Sequence, residues 1–447
     1  MQADPESLPR SSRGAWPMLA VLVIGFTLSQ AFRTVAAITA PPLQQELGLS
    51  VSQLGSFAGA FHLAFALMQP VVGVSFDSFG VRRTVLVLFP MMVIGSVLIA
   101  LGTNLSMLIA GQILVGVGSA PAFVACTMVI AERFPPAAFA SVSSLVLAIG
   151  GVGMLLTGTP LAWLIDYGSW RSGFWTLAVV SAITCVVVHR KIHDSHPPHA
   201  DPDAPRETLV QSFAAFGRLF LLPQTVGIVV LSLVTYSSFM TLRGLWLGPF
   251  MVDRFGLTLS ESGSVAFWMS AAAVVGLPLF GYLDPGGRRR RVMMIALTLL
   301  FAAVFVALAL VRDASFAVAL ILAIGVLSGY GALHYPDARE SYSPQMTGRA
   351  IALMTMTMFG SIAVVQWLTG IVANQATAWG VETYLAIYMA IAVLLVAGAL
   401  AFAWLPWPDY ARRRPLSVSA IAAARPGTRP ASSPSNDERR DGRPPAS

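Results

Sequence analysis

The chain has 447 residues, of which 56% are hydrophobic and 11% are charged, and its formal net charge is +7. Soluble domains carry about 25% charged residues, so this composition excludes a soluble globular protein and indicates an integral membrane protein. The basic residues lie between apolar runs, so the positive charge indicates membrane topology rather than nucleic-acid binding. Cys126 and Cys185 both lie inside apolar runs, so no disulfide framework is predicted.

A transmembrane helix needs about 20 mainly apolar residues, and twelve such runs occur between residues 15 and 406. They predict an all-α integral membrane protein with twelve transmembrane helices. The first run follows a polar segment and is too long for a signal-peptide core, so we interpret it as a retained helix. The predicted divisions are a cytoplasmic N-terminal tail (1–14), a six-helix half (15–190), a cytoplasmic linker (191–221), a second six-helix half (222–406) and a disordered cytoplasmic tail (407–447).

The distribution of basic residues predicts the orientation of the chain. If the N-terminus is cytoplasmic, thirteen basic residues fall in the cytoplasmic connections and three, Arg171, Arg254 and Arg312, fall in the outer ones. Because cytoplasmic loops carry the excess of Lys and Arg, this pattern predicts that both termini are cytoplasmic. The Arg-rich and Ala-rich composition is typical of a bacterial inner (plasma) membrane protein.

A short connection between the second and third runs recurs in the second half of the chain. Residues 73–83 contain one carboxylate, two glycines and two consecutive arginines, and a version of this segment returns 208 residues later at 281–291. The segments before the second and eighth runs, 48–55 and 256–263, show the same offset. Two six-helix halves related in this way are expected to face each other across a central substrate path.

Residues 73–83 resemble the most specific signature of the major facilitator superfamily, Gly-x-x-x-Asp-x-x-Gly-x-Arg-Arg, which follows the second helix in that family. Residues 168–174 are similar to a second pattern of the family, and the resemblance covers about residues 15–406. It implies the major facilitator fold, with two pseudo-symmetric six-helix halves, and transport by alternating access without a cofactor or a bound metal.

Two features depart from the family pattern. Gln112 stands where the signature of the fourth helix usually carries an Arg, four residues before Gly116. The fifth run lacks the adjacent Gly-Pro of the antiporter signature. These departures argue against a standard proton-driven drug exporter.

The resemblance also implies a cytoplasmic gate. In the family, the Asp of this signature helps to close the cytoplasmic side against the start of the eleventh helix, where this chain has Gly348 and Arg349. Asp284 is expected to play the mirrored part towards the fifth helix, although one residue is missing before it and Pro285 follows. The gating residues implied in this way are Asp77, Gly73, Gly80, Arg82, Arg83, Asp284 and Arg349.

Two arginines, Arg33 and Arg243, lie inside the first and seventh predicted helices. A charge near the middle of a membrane costs about 2.5–3.5 kcal/mol on insertion scales, so it is expected to have a functional reason. Each guanidinium can donate two parallel hydrogen bonds, which suits a carboxylate or a phosphate. Gln30 and Tyr236 share a helix face with these arginines and are candidate substrate ligands or interhelical contacts. The alternative for the arginines is that each side chain extends to the outer interface.

The segment from Arg33 to Pro41 also resembles the first helix of organophosphate:phosphate exchangers, in which an Arg lies at a similar distance before a Pro. That family places a further Arg in the seventh helix. The resemblance therefore implies that Arg33 and Arg243 form an anion-binding pair.

Two histidines, His62 and His334, are candidates for proton coupling, because an imidazole changes charge near neutral pH; the alternative is a structural role. The sequence shows no Asp or Glu near the middle of a predicted helix, which favours an anionic over a cationic substrate. Trp246, close to the outer end of the seventh helix, best fits an aromatic interface anchor. The residues expected either to line the path or to pack are Gln112, Trp246, Trp268, Tyr330, Gln366 and Trp367.

These observations predict a secondary active transporter of a small organic anion, either a carboxylate or a phosphate ester. Its predicted partners are the substrate, a co-transported or counter-transported ion and membrane lipid, and it is predicted to be a monomer that binds no nucleic acid. A multi-substrate drug exporter and a transporter-like ligand sensor are the alternatives. An enzyme is disfavoured, because the sequence shows no P-loop, no metal-ligand cluster and no Ser-His-Asp set that the topology would bring together.

Overall fold

The computed structural model describes residues 10–134, 139–192, 223–341 and 344–405, and the regular structure in these ranges is entirely helical. Most of the predicted linker and of both predicted tails lies outside the described residues. Twelve of the described helices are long and apolar enough to span a membrane, which confirms the predicted number. We number the spans α1 Ala15–Phe32, α2 Val51–Phe76, α3 Phe79–Ala100, α4 Leu105–Arg133, α5 Leu145–Tyr167, α6 Trp170–Lys191, α7 Val226–Phe255, α8 Leu259–Tyr282, α9 Gly287–Leu310, α10 Ala314–Asp337, α11 Leu353–Ala378 and α12 Thr383–Trp404.

Several spans are interrupted. The helix of α1 covers Arg10–Phe32 and, after a two-residue turn, continues as Val35–Leu47. In α7, a π-helical turn at Leu242–Trp246 separates Pro223–Thr241 from Leu247–Phe255. Such breaks are tolerated inside a membrane only where the freed backbone groups are buried in protein or line a cavity. Three other spans consist of more than one helical segment: Leu105–Ser119 and Ala122–Arg133 in α4, Phe139–Leu156 and Thr159–Tyr167 in α5, and Ala314–Ser328, Gly329–Leu333 and His334–Ser341 in α10. The helix of α11 covers Pro344–Ala378, and α2 and α3 form one continuous segment, Val51–Ala100.

The two halves begin their second helices in the same way. Ser50 and Gln53 form a capping box at the start of α2, and Thr258 and Glu261 form one at the start of α8. In each box, the first side chain accepts a hydrogen bond from the fourth backbone N–H, and the fourth side chain accepts one from the first backbone N–H. The two boxes lie 208 residues apart, so the sequence repeat preserves the same helix start.

One ion pair in each half ties the end of the first helix to the start of the last. Arg171 of α6 binds Glu46, which also accepts a hydrogen bond from Trp170 Nε1 at 2.6 Å. The hydrogen bond from Arg171 is the main cause that lowers the pKa of Glu46. In the second half, Arg254 Nη2 donates to Glu382 at 2.9 Å. Glu46 and Arg254 are 208 residues apart, so equivalent positions carry the same kind of pair with the charges exchanged.

The turn between α2 and α3 accounts for one glycine of the repeated signature. Gly80 has a φ of 77°, in the left-handed region that glycine adopts without strain. The corresponding connection in the second half uses Gly286 and Gly287, whose φ angles are 69° and 50°. A Cβ on Gly73, in contrast, would meet no atom of the described residues within 4 Å. The turn therefore needs glycine at position 80, and it places no such demand on position 73.

The two halves approach each other most closely where α7 packs on the continuation of α1. A Cβ on Gly248 would lie 1.8 Å from the carbonyl oxygen of Ala37, and one on Gly244 would lie 3.0 Å from that of Arg33. Small residues spaced by four positions let two membrane helices approach to backbone contact. Gly244 and Gly248 therefore hold the two halves together at this level.

Two further helix pairs close the same end of the bundle. A Cβ on Gly55 of α2 would lie 2.6 Å from the carbonyl oxygen of Gln366 in α11, and one on Gly158 of α5 would lie 2.8 Å from that of Gly263 in α8. This is the end that the basic residues predict to face outward. Tyr335, towards the opposite end, is 44% exposed although it interacts with buried Arg33. Arg33 therefore has an exposed neighbour towards the predicted cytoplasmic side.

We expect Gly248→Ala to loosen the closed end, because the added methyl group cannot fit against the carbonyl of Ala37. A cavity of about 470 Å³ at this end is lined in part by Val51. A cysteine introduced as Val51→Cys, in a chain without its two native cysteines, reports on access to this cavity. Its reaction with a membrane-impermeant maleimide should become faster in the Gly248→Ala variant.

Gly227→Ala is the matched control on the same helix. A Cβ at this position would lie 3.4 Å from the nearest side-chain atom, in Leu405, which is ordinary van der Waals contact. This control should react at the parent rate. If Gly248→Ala and Gly227→Ala react equally, the close contact of α7 with the first helix does not control closure.

Candidate functional site

Arg33 lies in the turn that interrupts the first helix and has no carboxylate partner among the described residues. Its Cζ is 4.8 Å from the ring centroid of Phe65 in α2 and 4.6 Å from that of Phe359 in α11. Nη2 donates to Ser29 Oγ at 3.4 Å, whereas Nε has no hydrogen-bond partner in the described part of the chain. The residue is 6% exposed, so its side chain does not extend to the interface. Aromatic faces stabilise such a cation only in part, and its donors remain suited to an anion.

Further polar side chains surround Arg33. Tyr236 of α7 and Tyr335 of α10 interact with its guanidinium. His62 of α2 lies close to both Arg33 and Gln366 of α11. We define the central cluster as Arg33, His62, Phe65, Tyr236, Phe359 and Gln366. Because these residues come from both halves, the cluster must rearrange when the halves move.

His62 is buried, and its Nδ1 lies 3.2 Å from the carbonyl oxygen of Ala58. A carbonyl oxygen only accepts, so Nδ1 must carry the proton of this hydrogen bond. In the neutral ring, Nε2 is then a free acceptor, and it has no partner among the described residues. Both polar atoms of the Gln366 amide also lack hydrogen bonds within the described ranges. The cluster thus offers one cation, one free acceptor and one free amide.

Gln30 and Gln112 contribute further buried amides, in α1 and α4. The Oε1 atom of each has no hydrogen-bond partner in the part of the chain that the structure describes. Buried polar groups are normally hydrogen-bonded, so an unpaired one calls for an explanation. Gln30, three residues before Arg33, is the nearer candidate for a ligand contact.

Arg243 has different surroundings from Arg33. It lies in the π-helical turn of α7 and is fully buried, with 0% exposure. Its Nε donates to Ser270 Oγ of α8 at 2.7 Å, and its Nη2 donates to the Met154 carbonyl of α5 at 2.6 Å and to Thr157 Oγ1 at 3.3 Å. Thr157 in turn lies 2.6 Å from the hydroxyl of Thr34. Arg243 therefore connects the second half to the first, and burial excludes the interfacial alternative for it as well.

The implied gate is only partly described. The side chains of Asp77 and Arg349 lie outside the described residues. Arg82 is half-buried and Arg83 is exposed. Asp284 accepts hydrogen bonds from Arg290 Nε and Nη2, both at 2.7 Å, within its own connection. Burial acts to raise the pKa of Asp284, but the hydrogen bonds from Arg290 and the backbone of Gly286 outweigh it and lower the pKa.

A buried acid lies at the end of one span, so it does not contradict the prediction that no Asp or Glu lies near the middle of a helix. Asp337, in α10, is fully buried and accepts two hydrogen bonds from Arg291 of α9, each at 2.9 Å. The Arg291 guanidinium also lies 4.9 Å from the ring centroid of Phe402. Asp337 is three residues after His334, whose Nδ1 lies 3.0 Å from the carbonyl oxygen of Gly331. Because Arg291 already neutralises Asp337, this acid is not a free site for an organic cation.

The six residues that are expected to line the path or to pack differ in their exposure. Gln112, Tyr330, Gln366 and Trp246 are buried. Trp268 and Trp367 are 61% and 50% exposed, so they lie on the outer surface of the bundle. Trp246 donates from Nε1 to Thr369 Oγ1 at 2.9 Å, so the prediction that it is an interface anchor is wrong.

The sequence profile of the Major Facilitator Superfamily matches residues 22–283, which is more than half of the chain. The chain belongs to this superfamily. With its twelve spans, it is a multi-pass membrane protein of a transporter superfamily, and this membership confirms the resemblance at residues 73–83. The superfamily and the relatives below are transporters rather than enzymes.

Two curated relatives are hexuronate transporters. The protein from Bacillus subtilis is 21% identical over 61% of this chain, and the protein from Escherichia coli is 24% identical over 60% of it. The chain spans 65% of the length of each relative. Among solved structures, a D-xylose–proton symporter superimposes with a TM-score of 0.67 at 17% identity. The superposition covers 90% of this chain and 99% of the symporter chain. At that identity, the structural likeness shows the fold alone.

We expect Arg243→Met to destabilise the protein, because it removes three hydrogen bonds and leaves the Met154 carbonyl without its guanidinium donor. Interhelical hydrogen bonds in membranes contribute on average about 0.6 kcal/mol each, so the expected loss is about 2 kcal/mol or more. The measurement is the thermal unfolding midpoint of the purified protein in detergent. Arg83→Met, at an exposed arginine, is the control and should leave the midpoint unchanged. Equal midpoints for the two variants would contradict a connecting role of Arg243.

Proposed function

We propose that the protein is a secondary active transporter of a small organic anion, a carboxylate or a phosphate ester, and that it works by alternating access. The observation that carries this proposal is Arg33, a buried guanidinium that has aromatic and hydroxyl neighbours but no carboxylate among the described residues. Placing such a charge inside a membrane protein costs about 2.5–3.5 kcal/mol on insertion scales. An anionic substrate would offset this cost each time it binds.

The curated relatives support the same class of substrate. A hexuronate is an organic anion, and two transporters of that name match most of this chain. The identities of 21% and 24% leave the particular anion open, so the likeness supports the charge of the substrate rather than its structure. An exporter of apolar drugs would have no use for an unpaired cation in the centre of the bundle.

In this proposal Arg33 is the principal anion ligand, and Gln30 and Tyr236 contact further substrate oxygens. Arg243 supplies a second positive charge from α7, and its Nη1 has no hydrogen-bond partner among the described residues. Its three bonds to protein groups indicate that its main task in this conformation is to hold the halves together. The anion-binding pair is therefore unequal, with Arg33 the accessible member.

The conformation supports a cycle in which the ends of the bundle open in turn. With both termini in the cytoplasm of a bacterial cell, the closed end would be the outer one and the protein would face inward. The gate at the other end would be formed by Asp77 with Gly73, Gly80, Arg82, Arg83 and Arg349, and by Asp284 in the second half. Asp284 is bound to Arg290 in this conformation, so joining a closed inner gate would require that pair to rearrange.

Proton coupling would fall to His62 or His334. His334 lies three residues before Asp337, but Arg291 already neutralises that carboxylate. His62 lies beside Arg33, so a proton on its ring would meet a like charge. Both histidines stay candidates for a proton carrier.

We expect Arg33→Ala to reach the membrane and fold but to abolish uptake of organic anions into proteoliposomes, because the principal anion ligand is lost. Arg33→Lys should keep partial activity, since an ammonium retains the charge but loses the two-pronged geometry. The assay is uptake of a panel of carboxylates and phosphate esters, with and without a pH gradient.

Arg190→Ala, at an exposed arginine outside both the central cluster and the gate, tests whether loss of any positive charge has the same effect. Normal uptake by Arg33→Ala would overturn the proposal. Competition by neutral amphipathic compounds, without competition by any anion, would favour the drug exporter.

A further inference from the structure

We propose that His62 and Gln366 form a hydroxyl-binding subsite beside Arg33, so that the substrate is a monocarboxylate that carries hydroxyl groups. This inference rests on the proposed anion transport and narrows its substrate class. It uses the two polar members of the central cluster that the anion itself does not need. The argument depends on which atoms of these side chains are already engaged.

The hydrogen bond of His62 to its own helix fixes what the ring offers to a ligand. Because Nδ1 donates to the carbonyl of Ala58, the neutral ring presents Nε2 as a lone-pair acceptor. This atom is buried and has no partner within the described ranges. A carboxylate oxygen would face the lone pair unfavourably, whereas a hydroxyl group can donate to it. His62 therefore selects an O–H donor rather than a second anionic group.

Gln366 offers both kinds of hydrogen bond from the other half of the protein. Its Oε1 accepts and its Nε2 donates, and neither atom has a partner among the described residues. The side chain lies beside the ring of His62, and that ring is also close to Arg33. A polar group between these side chains could satisfy an acceptor of one half and an amide of the other. A hydroxyl group, which both donates and accepts, matches this requirement.

The charge of the cluster limits the substrate to a single negative group at this place. Arg33 is the one cation of the central cluster, whose other members are uncharged aromatic, amide and neutral imidazole side chains. Arg243 directs its bonds to Ser270, Met154 and Thr157 instead. A dicarboxylate or a dianionic phosphate would place its second charge against His62 Nε2 or the phenyl rings. A hydroxylated monocarboxylate pairs one charge with Arg33 and its hydroxyl groups with His62 and Gln366.

The groups that face His62 also decide between this subsite and a proton site. They are the guanidinium of Arg33 from the first helix and the amide of Gln366 from α11. The nearest groups beyond them are Tyr236 and Tyr335, which interact with Arg33 from α7 and α10. No carboxylate is among them. The ring can therefore serve as a neutral hydrogen-bond acceptor throughout the cycle.

The test compares matched acids that differ only in their hydroxyl groups: glycerate with propionate, and gluconate with n-hexanoate. Each is used to compete for binding to the purified full-length protein, together with glucose as an uncharged polyol. A site that binds hydroxyl groups strongly rejects analogues without them. At least one hydroxylated acid should therefore bind about 100-fold more tightly than the unsubstituted acid of its pair. Glucose should not compete, because it has no anion for Arg33.

Variants then assign the preference to its residues. His62→Phe and Gln366→Leu should each weaken the hydroxylated acid about tenfold or more and leave the unsubstituted acid unchanged. Arg33→Lys should weaken both acids of a pair by the same factor. Ser96→Ala removes a buried hydroxyl of α3 that bonds only to its own helix at Met92, and it should change neither affinity.

The outcomes separate this inference from the proposed function. Equal binding of the two acids in every pair, with both still dependent on Arg33, would overturn the hydroxyl subsite and leave anion transport standing. Failure of every anion to bind would overturn both. If His62→Phe keeps the preference for hydroxylated acids but removes the pH dependence of uptake, His62 is a proton site and the subsite is overturned.

Discussion

Arg33 is a cation that the fold buries between two phenylalanine rings without supplying a carboxylate among the described residues. Arg291, a buried cation near one end of the bundle, has different surroundings, because it donates two hydrogen bonds to Asp337. An internal carboxylate beside Arg33 would satisfy it permanently and would compete with any anionic ligand. In the proposed function, the substrate takes that role instead. The cost of burying the guanidinium is thereby linked to occupancy of the site, which is what a transporter requires if the loaded protein is to change conformation more readily than the empty one.

Both buried arginines of the centre lie where their helices are irregular. Arg33 occupies the turn between two helical segments, and Arg243 lies in a π-helical turn of α7. Inside a membrane, backbone groups freed by such turns must find partners in the protein or in a cavity. The regular spans provide the scaffold, and the two turns bring long charged side chains to the plane where the halves meet. Gly244, next to Arg243, is placed against the carbonyl of Arg33, so the two turns pack on each other.

The spans and the duplication could be predicted from sequence because both follow from local physics. Long apolar runs must be helices in a membrane, and Ser50 and Thr258 start equivalent helices with equivalent caps. The burial of Arg33 could be predicted, because the residue lies well inside the first apolar run of the sequence. The partners of Arg243 could not be predicted, since Met154 lies 89 residues away and a backbone carbonyl carries no sequence signal. Asp337 was missed for a similar reason: it lies near the end of its span, and only the packing of α9 against α10 reveals its pairing with an arginine.

The positions of these side chains define what must break when the closed end opens. Separation of α5 from α7 breaks the bond from Arg243 to Met154, and separation of α2 from α11 moves His62 away from Gln366 and Phe65 away from Phe359. The bonds of Arg243 join protein groups only, so they stabilise the conformation in which this end is closed. The central cluster, in contrast, has buried polar atoms without a partner among the described residues. In the proposed cycle, a ligand that satisfies both halves of the cluster at once stabilises the states in which the halves are close around it. After its release, the bonds of Arg243 keep the opposite end shut.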